Sequence, residues 1–337
     1  MFGGDPEAFV ISSSTGEVVS AHHLGLQHKK ISTEGWLGRA WNTHVSRDGL
    51  LLEVNCAPVS CRANFGRGFY EDMHTYEVAI LRQKGLTLKF VSSLLVPEQV
   101  LMTAPLDART LGCDPSLNAY GPRDIPEEAR HSFWRYAGGH IHVSHQLYNY
   151  NAIPGEYFTL PQRLQMDTTL AADLTRAFDL YAMLPATILR QSPAIFKRRE
   201  VYGRAGEYRI QPHGLEYRTP GAELWAPGEF WLLSMVLGSI RYVMYNFPKV
   251  RPKLDSVNWA AVQATINTGD TMGYAELQSV PNIYTPDVIL RAARMIEQEN
   301  RFPFTQYSYP TDLHEIGSWA GVIRSALPEF NNVVVSV

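Results

Sequence analysis

The sequence predicts an α+β fold, and three observations lead there. Short stretches of strand character and longer helical ones are mixed along the chain, without the regular strand–helix–strand alternation of a doubly wound sheet. No GxGxxG follows a strand and no GxxxxGK[ST] occurs, so dinucleotide and P-loop folds have no support. No repeat, heptad run or low-complexity tract is present, which removes solenoids and coiled coils. The chain has 337 residues, 45% hydrophobic and 19% charged, enough for a large core, between one big domain and two ordinary ones.

Strands are expected at Ala8–Ser12, Leu50–Asn55, Leu86–Leu95, His140–His145 and Glu207–Arg218, with turns at Ser14-Thr15-Gly16 and Arg47-Asp48-Gly49. A helix is expected over Glu71–Gln83, stopped by Gly85. Another over Asp167–Arg190 puts Leu170, Leu174, Ala177, Phe178 and Tyr181 on one face. Glu229–Tyr245 is apolar nearly all round and reads as a core helix ended by Pro248. Thr285-Pro286-Asp287 has the form of a helix start. Thr103–Arg130, rich in Gly, Pro, Asp and Asn, reads as a long ordered loop.

A formal net charge of −3 gives no electrostatic case for nucleic acid or an anionic membrane. The start of the chain lacks the basic and apolar regions of a signal peptide, and Phe230–Ile240 is too short for a bilayer. Cys56, Cys61 and Cys113 form no paired framework. A cytoplasmic protein is the expectation.

The chemistry-bearing residues lie on several of these strands. Asp5 and Glu7 are two apart, so in a strand both carboxylates project from one face, where a hard cation relieves their repulsion. A solvated turn is the competing reading. Glu53 interrupts the apolar run Leu50–Val54, and there it needs a metal, an Arg or exposure at a sheet edge. In Gly138-Gly139-His140-Ile141-His142-Val143, two imidazoles share a face and two aliphatics the other. They can ligate a metal or reach a phosphate, or be hydrogen-bonded within the core, and the nearby acids suit Mg²⁺ or Mn²⁺ better than Zn²⁺. The preceding glycines let another backbone or a ligand come close. Arg199, Arg204, Arg209 and Arg218 crowd one segment around Glu216, and a guanidinium fork matches phosphate oxygens. A charged surface hairpin is the plain alternative. Carboxylates, imidazoles and guanidiniums on separate strands are what phosphoryl transfer from ATP requires.

The segments GGDPEAFV, DGLLLEVNCAP, LGCDPSLNAYGP, YAGGHIHVSH and RREVYGRAGEYRIQPHGLEYRTPG together resemble the phage-encoded amidoligases (carboxylate–amine ligase, type 2) of the glutamine-synthetase/glutamate–cysteine ligase superfamily. They occur in the family's order over residues 1 to about 220. The resemblance implies a curved, mainly antiparallel sheet forming a funnel, with helices packed outside. Residues 1–250 would be the catalytic domain and 251–337 its helical carboxy-terminal part. It implies an ATP-dependent ligase with two or more Mg²⁺ or Mn²⁺ ions, joining a carboxylate to an amine through an acyl-phosphate. Asp5, Glu7 and Glu53 would be metal ligands, and His140 or His142 with Glu216 would bind the other metal. Arg199, Arg209 and Arg218 would act on ATP phosphates, Lys30 would touch nucleotide or substrate, and the loop Cys113–Asn118 would lie on the substrate side. Glu53 stands nearly alone where the superfamily often has a denser acidic cluster, and no motif of the family is recognisable after about residue 250. Two other classes share the fold expectation: a virion structural or assembly protein with a vestigial site, and a phosphagen-kinase-like phosphotransferase. A homo-oligomer or virion component is compatible with the sequence.

Overall fold

The computed structural model describes residues 2–26, 36–37, 44–59, 69–70, 72–109, 116–122, 132–144 and 159–279. Lys30, Cys61, Cys113 and the expected helix at Thr285 lie outside them, as do residues 110–115 and 123–130 of the expected long loop.

The described residues form a mixed structure of helices and antiparallel sheet. The strands are β1 (Phe2–Ser12), β2 (Val18–Val19), β3 (Trp36–Leu37), β4 (His44–Asp48), β5 (Leu51–Val59), β6 (Leu86–Lys89), β7 (Ser93–Leu95), β8 (Leu117–Asn118), β9 (Trp134–Tyr136), β10 (Gly139–Ser144), β11 (Glu207–Gln211) and β12 (Gly214–Tyr217). The main sheet has the order β3-β4-β5-β1-β10-β12-β11-β8, and β2 and β6 pair with the later half of β1. β1 is thus central, and it extends the expected strand back through Asp5-Pro6-Glu7.

Register places polar side chains on one face. Asp5 lies opposite His140 and Gly3 opposite His142. His142 and Arg209 both lie opposite Glu216, on either side of it. Glu7 lies opposite Glu53, and Glu53 opposite Ser46. Directly opposed residues share a face, so the acids, both histidines, Arg209 and, two residues on from Glu216, Arg218 all belong to one side. The alternate residues Phe2, Ile141, Val143, Leu215 and Tyr217 are fully buried and join the core with Leu174, Phe178, Leu233, Leu237, Ile240 and Met244 from the helices.

The helical layer follows its hydrophobic spacing. Leu170, Leu174, Ala177, Phe178 and Tyr181 are all buried as expected. The rod is not one α-helix: Leu170–Phe178 and Leu184–Leu189 flank a π-turn at Asp179–Met183, where Leu184 N–H reaches the Asp179 carbonyl. Pro185 offers no N–H to the preceding turn, which favours such a local rearrangement. Asp167 lies before the helix and accepts from Thr169 N–H at 3.0 Å.

Three other expectations need correction. The helix Phe230–Val250 runs past Pro248, because a proline in the last turn removes a single intrahelical bond and the apolar packing carries the helix through. Leu86–Leu95 is two strands, since buried Ser92 turns the chain and joins Glu223 and Ala222, and β7 then pairs with β9 in a separate sheet. Glu207–Arg218 is a hairpin rather than one strand. The helix before Gly85 does end at that residue, which has φ 67°. After Val250, Arg251–Ser256, Trp259–Thr268 and Met272–Ser279 are helical, and Leu254, Val257, Val262, Ile266 and Leu277 enter the same core. No described helix is long and apolar enough to cross a membrane.

Candidate active site

The site begins with a close fit of backbones beneath it. A Cβ on Gly139 would stand 2.3 Å from the Gly221 carbonyl and 2.6 Å from the Trp225 ring, and one on Gly138 would stand 2.4 Å from the His140 imidazole. The glycine pair therefore lets the chain around Gly221 approach β10 and gives the His140 ring its place. Trp225, fully buried, fills the space over Gly4 and Gly139.

Above this floor, Asp5, His140 and Glu216 bring one donor atom each within 4.8 Å of one another. His140 Nδ1 is 3.2 Å from Asp5 Oδ1 and 3.4 Å from Glu216 Oε1, and His142 Nε2 is 3.2 Å from the same Asp5 oxygen. Arg218 Nε and Arg209 Nη1 approach Glu216 Oε1 to 3.2 and 3.6 Å. Asp5 Oδ1 and Glu216 Oε1 are buried and have no hydrogen-bond partner among the described residues. Buried carboxylate oxygens that face imidazoles without a hydrogen bond fit a cation site. The spacing fits too, since ligands at right angles around a small divalent ion lie roughly 3 Å apart.

The charges support this reading. Burial opposes ionisation of Asp5, but the His142 and His140 imidazoles outweigh it and hold the carboxyl well below its usual range. Burial, aided by Arg218, pushes His140 down to about 4 against the pull of Asp5, so its ring is a neutral donor at neutral pH. At His142 burial is overcome by Asp5 and then Glu216, and its pKa is raised. Glu216, despite burial, is lowered by His140 and then by Arg218.

A second cluster of acids lies further along the same face. Glu7, Asp48 and Glu53 bring carboxylate oxygens within 4.8 Å of one another, Glu7 and Glu53 both buried. Glu7 Oε2 accepts from Gly138 N–H at 2.6 Å and from the Tyr202 hydroxyl at 3.3 Å. The Tyr202 ring in turn lies under the guanidiniums of Arg198 and Arg218, 4.2 and 5.6 Å from its centroid.

Asp5, Glu7, Glu53, His140, His142, Glu216, Arg209 and Arg218 are therefore all brought to one face. Arg199 is not. It ends the helix Pro193–Arg199 and donates to the Ile266 carbonyl and, at 3.4 Å, to the Thr187 hydroxyl, within the helical layer. Burial, then Arg198, pushes its pKa down to about 10. Asp48, Gln211, His213 and Tyr202 join the site without having been singled out. The turn signals around Asp48-Gly49 and Pro212-His213-Gly214 were the only clue to the first three.

Part of the chain is similar to a known family. Residues 152–261 match the family model described as Phage phiEco32-like COOH.NH2 ligase-type 2. The match covers less than half of the chain and is to the family that the earlier motifs resemble. The matched stretch contains Arg199, Arg209, Glu216 and Arg218, while the other site residues come from the sequence before it. No curated protein matches the chain.

Proposed function

We propose that this protein is an ATP-dependent carboxylate–amine ligase working through an acyl-phosphate, on the polar face of a glutamine-synthetase-like sheet curved into a funnel. One observation carries the proposal: buried Asp5 Oδ1 and Glu216 Oε1 converge with His140 without hydrogen-bond partners, beside Arg209 and Arg218. The family match supports the same chemistry. Asp5, His140 and Glu216 would hold one Mg²⁺ or Mn²⁺, with His142 against Asp5, and Glu7, Glu53 and Asp48 would hold a second. Bound there, the cations would neutralise the triphosphate and polarise its transferring phosphoryl group.

The chain's own residues position the substrates and stabilise charge. Arg209 and Arg218 present guanidinium donors to phosphate oxygens at the edge of the acidic cluster. A substrate carboxylate oxygen attacks the γ-phosphorus and the bond to ADP breaks. An amine then attacks the acyl carbon, loses a proton, and expels phosphate to leave an amide. Both reacting partners are substrates, so no nucleophilic Ser or Cys is needed. Residues 1–250 form the catalytic domain in this reading, with 251–337 its helical extension, and Lys30 reaches nucleotide or substrate.

The test is incubation with ATP, Mg²⁺ and mixtures of amino acids or of phage and host extracts. ADP and phosphate released together, dependent on both substrates, with hydroxylamine trapping a hydroxamate, is the expected result. ADP without phosphate, alongside a phosphorylated guanidino product, makes the protein a kinase. No turnover, with the protein recovered stoichiometrically in particles, makes it a virion part.

A further inference from the structure

The hairpin joining β11 to β12 turns in two residues, Pro212 and His213, with Gln211 paired to Gly214. Gly214 has φ 148°, and a Cβ there would stand 2.2 Å from the Val143 carbonyl, so the tip is pressed against β10. Two side chains of this tip reach back into the acidic face. Gln211 Nε2 donates to Glu216 Oε2 at 2.6 Å, leaving Oε1 towards Asp5 and His140. The exposed His213 places its Nε2 2.9 Å from His142 Nδ1, with ring centroids 5.0 Å apart.

That second bond ties the tip to the ring that faces Asp5, since the other nitrogen of His142, Nε2, lies 3.2 Å from Asp5 Oδ1. We propose that His213 is a positioning residue for the metal centre: its hydrogen bond to His142 Nδ1 fixes the imidazole that faces the Asp5 carboxylate. The hairpin tip thus braces two of the three ligands in the cluster, Glu216 through Gln211 and Asp5 through the His213–His142 pair. Outer partners of metal ligands commonly act in this way, fixing ring and carboxylate orientation. The inference rests on the ligase reading only in taking Asp5, His140 and Glu216 as cation ligands.

The experiment titrates Mn²⁺ alone, without nucleotide, into wild type, His213→Leu and His213→Gln, and records the ¹⁵N shifts of the His142 ring. Leu can make no hydrogen bond, whereas a Gln amide can donate or accept one. His213→Leu should weaken Mn²⁺ binding by about 10-fold, the lower end of the range for outer partners. His213→Gln should stay near wild type, and the melting temperatures of the metal-free proteins should agree. The His142 ring ¹⁵N shifts should stay near wild type in His213→Gln and move in His213→Leu. Wild-type affinity in His213→Leu, equal weakening in both variants, unchanged His142 shifts in His213→Leu, or no Mn²⁺ binding by the wild type would each overturn the proposal. The hydroxylamine assay decides the ligase reading separately: these binding results can hold in a protein that makes no hydroxamate.

Discussion

Two aspartates lie on opposite sides of the main sheet and are in opposite states. Asp5, on the polar face, is held ionised by two imidazoles that overcome its burial. Asp179, on the helical side, is fully buried, and burial pushes it up to about 7 even though the hydroxyls of Tyr217 and Tyr120 donate to it. The residue type is the same, and the difference is how much charge its neighbours offer, since Arg199 draws Asp179 down less than any other group around it. Tyrosine hydroxyls satisfy hydrogen bonds without supplying a counter-charge, whereas imidazoles and guanidiniums supply one. The polar face is thus a place where a buried carboxylate stays ionised, and the other face is one where a carboxylate becomes part of the packing.

The largest expected effect tests the polar face. Glu216→Gln preserves shape but removes the charge that meets His140, Arg209 and Arg218, so turnover should fall by more than about 100-fold, beyond the loss typical of an outer-shell change. The melting temperature should change little, since the variant leaves the packing of Leu215 and Tyr217 untouched. Wild-type-like ADP production by this variant would remove Glu216 from the centre. The helical side should answer in the reverse way. Leu174→Ala, at a fully buried position, should cost about 2–5 kcal/mol in urea unfolding. Its turnover per folded molecule should be unchanged, and a selective loss of turnover would mean that the two faces are not separable.

Much of the polar face was legible in advance because a strand's alternation is a local property. His140 and His142 against Ile141 and Val143 could be assigned to faces from spacing alone, and so could Asp5 and Glu7. Which residues meet across strands was not legible, since register is a long-range matter. Nothing near Asp48 shows that it would join Glu7 and Glu53, and nothing near His213 shows that it would meet His142. Arg199 was misplaced for a related reason. An Arg-rich run gives no sign of where helix passes into hairpin, and Arg199 belongs to the helix. The expected funnel and the roles proposed for its residues rest on resemblance, because curvature depends on how strands twist together rather than on any one of them.

The last prediction sharpens the comparison of the two aspartates. An unfolded aspartate titrates near 3.8, and Asp179 in the folded protein near 7. Below pH 3.8 the group is protonated in both states. Between 3.8 and 7 the folded state keeps a proton that the unfolded state has lost, so stability must fall as pH rises through this window. Above 7 both states are ionised and the penalty is complete. One group contributes a slope of at most about 1.4 kcal/mol per pH unit. Asp179→Asn removes the titration and keeps an oxygen to accept from Tyr217, while its amide N–H can donate to the Tyr120 hydroxyl, which turns to accept. Its stability relative to wild type should therefore climb from pH 4 to 7 and level off above. Urea unfolding of both proteins at steps across this range measures it. Parallel profiles would mean that Asp179 is ionised in the folded protein, and that the helical side of the sheet holds a carboxylate charge as readily as the side bearing Asp5.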